Sequence, residues 1–417
     1  MPEFQITMPG DVKEIIETIE NAGFEAFAVG GCVRDSALGR KPADWDITTS
    51  ARPEQVKALF KRTIDTGIQH GTVTIMKGNE GYEVTTYRID GEYEDGRHPK
   101  SVEFSDNLIE DLKRRDFTIN AMAYNERRGL VDEFDGCKDL EEGVIRAVGN
   151  PTERFTEDAL RMMRAIRFSA QLGFEIEDDT YQAILALSEN INKVSAERVQ
   201  VELNKTLLSP HPDYVQEYEN TGLFIDYLPV IDRVLGDRRA AKVKILLKKV
   251  PKTLVMRYAA LLKIATADEA KETLRALKLD NKTIKEATWL VEHADDKIAE
   301  LESDVRAAIH SYGRENFERL FLFEEALIQT AEETLQIPMK ERRAHYSNIR
   351  RMYDRITERG DCTDLKTLAI GGNDLMELGV TGKQIGVTLN NLLEAVLENP
   401  DLNDKEVLKN MIRGTKL

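Results

Sequence analysis

The sequence predicts an α+β chain: a mixed-sheet head followed by an all-helical neck, body and tail. Three observations carry that prediction. The first 150 residues hold short β-type runs, Phe24 to Val29, Thr72 to Met76 and Tyr82 to Tyr87, with a turn at Gly78-Asn79-Glu80-Gly81. Helical patterns alternate with these runs, at Val12 to Glu20 and Pro53 to Phe60. From Thr152 onward the strand signal nearly vanishes, and apolar residues recur at helical spacing, as in Leu160, Met163, Ile166, Phe168 and Leu172. Gly149-Asn150-Pro151 marks the end of the head, Ser209 to Pro212 and Ile337-Pro338 punctuate the helical remainder, and Gly371-Gly372 lies in the last helical segment. The expected divisions are 1–150, 151–212, 213–337 and 338–417.

The 417 residues are 41% hydrophobic and 32% charged, too many for one ordinary core and apolar enough for several. A mean hydropathy of −0.42 and the lack of a long uncharged apolar run exclude a membrane-spanning helix. The start MPEFQITMPGDVKE shows no basic stretch leading into an apolar one, so no signal peptide is expected. Cys32, Cys137 and Cys362 lie far apart, which suits neither a disulfide framework nor a zinc site and fits a reducing cytoplasm. A net charge of −16 and a pI near 5.1 argue against a general nucleic-acid coat, whose affinity comes from released counterions. They leave room for a nucleic-acid enzyme, because binding depends on where positive charge stands.

The strongest local signal is AVGGCVRDSALGRKPADWDITTS, residues 28–50. An apolar strand runs into Gly30-Gly31, and a helix comes next; such a turn offers backbone N–H groups to a triphosphate. It is not GxGxxG, so a dinucleotide fold gains nothing. Arg34 stands ready for a phosphate or for a surface ion pair. Asp44 and Asp46 precede and enter a β-type run, where residues two apart share a face. Two converging carboxylates need a compensating cation, and Mg²⁺ is the natural one; the other reading is two solvated aspartates. Glu83, among the β-formers of Tyr82 to Tyr87, is either a third acid for a two-metal site or an exposed hairpin glutamate.

Further along, Arg115 stands within phosphate reach, and Asp116 and Asn120 are spaced for one helical face that either contacts ribose hydroxyls or caps a helix. In Glu157 to Phe168, read as a helix, Asp158 and Arg161 lie three apart, with Arg164 and Arg167 extending the row toward phosphate or solvent. A carboxylate accepts from the exocyclic amine of cytosine or adenine while a guanidinium donates to ring acceptors. Uracil and guanine present a carbonyl there instead, so such a pair selects CTP and ATP without a nucleic-acid template.

In this order the motifs resemble the class II tRNA nucleotidyltransferases, the CCA-adding enzymes of the DNA polymerase β-type nucleotidyltransferase superfamily. The resemblance rests on Gly30-Gly31-Cys32-Val33-Arg34-Asp35, Asp44 with Asp46, Arg114 to Asn120, Asp132 to Gly136 with Asp139-Leu140, Glu157-Asp158 with Arg161, and Ser195 to Arg198 with Glu202-Leu203. It implies two Mg²⁺ ions on Asp44, Asp46 and Glu83, which are also the catalytic residues. It assigns the triphosphate to Gly31, Arg34, Arg115, Arg164 and Arg167, the ribose to Asp116 and Asn120, and the base to Asp158 and Arg161. It makes 1–150 a catalytic head, 151–212 a base-reading neck, 213–337 a tRNA-binding body and 338–417 a tail on the tRNA elbow. The partners are then tRNA, ATP and CTP, with no membrane; a homodimer is left open.

Within that family, the stretch from Asp90 to Val102 matches a loop that CC-only enzymes lack, which favours complete CCA addition over A-only addition or poly(A) synthesis. Lys61 to Ile75 lacks the basic-aromatic signature of bacterial poly(A) polymerases. Ala259 to Ile264 occupies the place of a His-Asp doublet, so no phosphohydrolase activity is expected. Basic runs at Arg238, Arg239, Lys242, Lys244, Lys248, Lys249 and Lys252, and at Arg342, Arg343, Arg350, Arg351 and Arg355, are candidate tRNA contacts or solvated faces. Gly382 and Lys383 open a helix behind a glycine loop and are expected to meet a tRNA phosphate. The remaining reading is a tRNA-binding protein without catalysis.

Overall fold

The computed structural model describes residues 6–67, 71–90 and 102–414. Most of the stretch from Asp90 to Val102, and part of Lys61 to Ile75, lie outside the described residues. Contacts divide the chain into two compact units, Met1–Gly236 with Ala276–Lys278, and Asp237–Arg275 with Leu279–Leu417.

The first unit is built on strands β1 (Ala26–Val29), β2 (Asp46–Thr49), β3 (Thr63–Gly67), β4 (Thr72–Lys77), β5 (Glu80–Thr86), β6 (Arg88–Asp90), β7 (Val102–Phe104), β8 (Ala123–Asn125) and β9 (Gly129–Val131). Seven of them form one sheet in the order β3-β4-β5-β2-β1-β8-β9, and β6 pairs with β7. The sheet is mixed: β2 and β5 run parallel, with Ile47 opposite Val84, while β1 and β2 run antiparallel, with Val29 opposite Asp46. Helix α1 (Gly10–Asn21) buries Val12, Ile15, Ile16 and Ile19, the stripe its spacing predicts. The short helices α2 (Gly31–Ala37), α3 (Pro53–Leu59), α4 (Leu108–Lys113) and α5 (Gly136–Glu142) come after strands or turns. A core of Phe27, Val29, Tyr87, Leu108, Leu112, Ala121, Ala123 and Val148 fixes α4 relative to β1 and β8.

Helix α6 (Pro151–Glu157) begins at the expected boundary, with the Asn150 side chain accepting from Thr152 N–H at 3.0 Å and Pro151 at its first turn. Helices α7 (Leu160–Leu172), α8 (Asp178–Leu187) and α9 (Ala196–Leu207) come next. One strand pairing intrudes on this helical stretch: β10 (Val144–Ile145) runs parallel to β11 (Glu175–Ile176). Two residues are too few to show a period-2 pattern, so the pairing leaves no trace in the sequence.

The second unit is helical throughout its described residues. One core gathers Val305, Ile309, Phe317, Leu320, Ile349, Tyr353 and Ile356; another gathers Ile370, Leu375, Leu392, Leu393, Val396 and Leu408. Arg306, buried, donates to the carbonyls of Leu397 at 2.6 Å and Glu398 at 2.9 Å, placing positive charge at the C-terminus of the helix Lys383–Glu398. Many cations of the two basic runs are neutralised internally: Arg342 pairs with Glu324 at 2.6 Å, Arg343 with Glu325 and Glu332 at 2.7 Å, Arg350 with Glu318 at 2.5 Å, Arg355 with Glu302 and Lys249 with Glu333. No helix among the described residues is long and apolar enough to cross a membrane.

Candidate active site

Strand β1 ends at Val29, and Gly30 turns the chain with φ 79° and ψ −128°, a conformation that favours glycine. Helix α2 then starts at Gly31 with no side-chain cap, leaving its first N–H groups without intrahelical partners. The Arg115 guanidinium lies over this turn, 3.1 Å from where a Gly30 Cβ would stand. Across the β1–β2 pairing, Asp46 opens β2, and Asp44 stands in the segment just before it rather than on the strand. The β2–β5 register sets Glu83 beside Asp46.

These three acids feel one another. The Asp46 side chain stays open to solvent, yet the protein packed around it strips enough hydration to push its carboxyl up to about 6. The charges of Asp44 and Glu83 add to the rise, and Arg115 opposes it. Among the described residues no three His, Cys, Asp or Glu side chains close into a ready-made metal cage. That donor set still suits Mg²⁺, which is commonly held by one or two carboxylates together with substrate phosphates. A cation between Asp44 and Asp46 would remove the repulsion that raises Asp46.

Arg115 is held by Asp111, a fully buried carboxylate that also accepts from Arg114 at 2.7 Å and from the Thr48 hydroxyl at 3.1 Å. Asp111 is a site residue that reading the sequence missed. Its signal was the Asp111–Arg115 spacing of four and the Asp111–Arg114 spacing of three.

A second group lies between the sheet end and α7. Asp116 accepts from Phe117 N–H at 2.9 Å, Asn120 Nδ2 at 3.0 Å and Arg164 Nε at 2.7 Å. Burial opposes its ionisation, but the Arg164 charge and these donors outweigh it and hold the carboxyl well below the usual range. Asn120 in turn accepts from Arg34 Nη1 at 2.6 Å. Arg167 donates to Glu202 Oε2 at 2.6 Å, and Arg164 stands 4.0 Å from the other Glu202 oxygen. Phe168 lies beneath three guanidiniums, those of Arg167 at 3.6 Å, Arg34 at 5.0 Å and Arg164 at 5.4 Å. Thus Asp116, Asn120, Arg34, Arg164 and Arg167 come together, with much of their hydrogen-bonding capacity used inside the protein.

Asp158 departs from the helical reading. Helix α6 ends at Glu157, and Asp158 is extended, φ −144° and ψ 103°. Its Oδ1 accepts from Leu160 N–H at 3.1 Å, serving the start of α7, and its Oδ2 pairs with Arg198 at 2.7 Å. Arg161 is the second residue of α7, where it donates to Glu157 at 2.5 Å and to the carbonyls of Arg154 and Arg114. Asp158 and Arg161 are neighbours, but each side chain is oriented by a different partner. Glu202 and Arg198, both on α9, therefore set the directions of Arg167 and Asp158.

In the stretch Asp132 to Gly136, Asp132 accepts from Gly136 N–H at 2.7 Å and from Cys137 N–H at 2.8 Å. A Cβ at Gly136 would lie 2.5 Å from the Thr118 carbonyl oxygen, so only glycine fits. Gly382 and Lys383 lie in the second unit, Gly382 at φ 60° capping the helix that Lys383 begins, with Lys383 exposed.

Comparison with known proteins gives three family matches along the chain. Residues 26–146 match the model described as "Poly A polymerase head domain", 173–235 that of "Probable RNA and SrmB- binding site of polymerase A", and 255–412 that of tRNA nucleotidyltransferase domain 2. The CCA-adding enzyme of Ligilactobacillus salivarius is 38% identical over 414 residues, 97% of this chain and 95% of that protein. The CCA-adding enzyme of Leuconostoc mesenteroides is 52% identical over 219 residues, so that similarity spans 52% of this chain and 55% of that protein. The crystal structure of the Bacillus stearothermophilus CCA-adding enzyme in complex with CTP superposes with a TM-score of 0.75 at 32% identity, covering 99% of this chain and 98% of that one.

Proposed function

The chain belongs to the CCA-adding enzymes, and from that premise we propose how its own residues complete and repair the 3′-terminal CCA of tRNA from CTP and ATP, without a nucleic-acid template and with release of pyrophosphate. The observation that carries the site assignment is the meeting of Asp44, Asp46 and Glu83 beside the Gly30-Gly31 turn under Arg115. Divalent-metal dependence is general to this family. The finer reading is two Mg²⁺ ions on Asp44, Asp46 and Glu83, supplying charge neutralisation and activation of the attacking 3′-hydroxyl. Gly31, Arg34 and Arg115 receive the triphosphate, with Arg164 and Arg167 behind them. Asp116 and Asn120 hold the ribose side of the site, and Asp158 and Arg161 read the Watson–Crick edge of the base.

In this reading residues 1–150 form the catalytic head and 151–212 the base-reading neck. Residues 213–337 form the tRNA-binding body and 338–417 the tail that meets the elbow, with Gly382 and Lys383 on a backbone phosphate. The enzyme works in the cytoplasm, a reading supported by three free cysteines. The test is nucleotide addition to three tRNA transcripts ending before CCA, after C and after CC. Each receives CTP, ATP or both with Mg²⁺ and is resolved at single-nucleotide length. Growth of all three to CCA and no further is the expected result. Extension of only the CC-ended transcript makes this an A-adding enzyme, long A tails make it a poly(A) polymerase, and binding without extension leaves a carrier protein.

A further inference from the structure

Many arginines of the second unit are neutralised by neighbouring carboxylates, and a small group of cations stands apart from them. Lys271 and Arg275 are four apart on the helix Ala267–Ala276, and Lys285 lies on the helix Asn281–His293. All three are exposed, and among the described residues none makes an ion pair. They line one cavity of about 280 Å³ together with Trp289, Thr288 and Glu292.

The positions 281, 284, 285, 288, 289 and 292 that line it have helical spacing, so one face of the helix Asn281–His293 forms one wall. Trp289 is a fixed wall rather than a loose one. It packs against the core of Val305, Phe317 and Tyr353, and it makes an edge contact with Tyr312 at 5.1 Å and a tilted contact with His293 at 4.6 Å. The Thr288 Oγ1 is buried and has no hydrogen-bond partner among the described residues, which leaves a donor and an acceptor beside the indole.

An indole with three unneutralised cations, a spare hydroxyl and one carboxylate fits a single ligand chemistry. The ring takes a base by stacking, the cations take a phosphate, and Glu292 accepts from an exocyclic amine. The cavity is the size of one nucleotide rather than of a helix groove, and a paired stem would present phosphates without a base to stack. We infer that this cavity is a nucleotide subsite, remote in sequence from the catalytic motifs, that takes one unpaired nucleotide with its base against Trp289 and its phosphate among Lys271, Arg275 and Lys285. This inference rests on the chain's acting on RNA as proposed above, and the same base-plus-phosphate chemistry is also carried by a free nucleotide.

Trp45 and Trp289 are the chain's two tryptophans, and Trp45 stands between Asp44 and Asp46, so the difference between wild type and a Trp289 variant reads the site. Wild type and the W289F variant are titrated with a tRNA lacking CCA, with an RNA duplex having no unpaired nucleotide, and with AMP. The expected result is quenching by tRNA that is larger in wild type than in W289F, the remainder coming from Trp45, with no such difference for the duplex. A wild-type-specific response to AMP but not to tRNA assigns the site to free nucleotide. In the tRNA case, Lys271→Gln with Arg275→Gln lowers the slope of log K against log salt by about 1.4, roughly 0.7 for each contact to a single strand. It also weakens tRNA binding about tenfold while kcat at saturating tRNA stays unchanged. Equal quenching in wild type and W289F for every ligand, or an unchanged salt slope together with unchanged tRNA affinity, overturns the inference. Wild-type CCA addition measured on the same preparation separates that failure from failure of the proposed function.

Discussion

Replacing Asp116 by Ala tests the electrostatic account of the link between the sheet end and α7. The carboxylate is 8% exposed and meets Arg164 through Nε at 2.7 Å and Nη2 at 2.5 Å. Removing one member of a buried pair costs about 3–5 kcal/mol, because the other charge is left uncompensated. Arg164 is one-third exposed and has Glu202 at 4.0 Å, so the low end applies, about 3 kcal/mol. For a unit of this size roughly 2–4 °C of Tm accompanies each kcal/mol, giving a fall of about 6–12 °C at pH 7 by circular dichroism. The Asp116 pKa is depressed on folding, so its stabilisation is complete above the unfolded carboxylate value near 4 and is lost as pH falls through the folded value. The Tm gap between wild type and variant is therefore constant from pH 7 down to about 4 and narrows below it. A cycle with Arg164→Ala isolates the pair. Coupling below about 0.5 kcal/mol, or a gap that widens with acidification, would refute the reasoning.

Asp44→Ala with Asp46→Ala is expected to abolish nucleotide addition and to leave tRNA affinity within twofold in a filter-binding assay; surviving turnover removes the metal assignment. Arg198→Ala frees the Asp158 carboxylate and is expected to lower the CTP-over-UTP ratio of kcat/KM by roughly tenfold, the worth of one charge-assisted hydrogen bond; an unchanged ratio denies Asp158 the base-reading role. Lys383→Glu is expected to raise the KM for tRNA several-fold with the KM for ATP unchanged, and equal changes in both sink the tail contact. Ala259, Ala260, Leu261 and Leu262 are fully buried, so the purified protein is expected to turn over neither phosphomonoesters nor cyclic phosphodiesters. Metal-dependent release of phosphate would contradict that.

What the sequence displayed and what it concealed divide along the distance over which each residue finds its partner. The Gly30-Gly31 turn and the β-type run around Glu83 are local patterns, and each is where the pattern puts it; of the two spaced aspartates only Asp46 lies on the strand, with Asp44 just before it. Asp111, on helix α4, was missed because the Thr48 hydroxyl that completes its shell lies 63 residues earlier, on β2. Asp158 was read into a helix because charged and apolar residues around it keep a helical rhythm. The actual break comes from its side chain capping α7 and from Arg198, 40 residues away, pulling its other oxygen. An aspartate two residues before an apolar run is itself a helix-start signal, so that break was partly legible. The basic runs hid their partners in the same way, since carboxylates 11 to 84 residues distant neutralise many of their cations.

The same long-range partners tie several of the motifs into one network. Arg34, beside the triphosphate turn, is tied through Asn120 to Asp116; Asp116 holds Arg164; and Glu202 joins Arg164 to Arg167. Apart from the 4.0 Å ion pair between Arg164 and Glu202, each link is a charge-assisted or buried hydrogen bond, which fixes direction more strictly than apolar packing does. A nucleotide phosphate drawing Arg34 or Arg164 toward itself must therefore loosen Asn120 or Asp116 from its present partner. Asp158 and Arg161, the pair proposed to read the base, stand at the start of the helix that carries Arg164 and Arg167. In the proposed reading, a phosphate seated at the Gly30-Gly31 turn is then felt as far as Arg164 through these bonds, whereas Asp158 and Arg161 keep their own partners, Arg198 and Glu157.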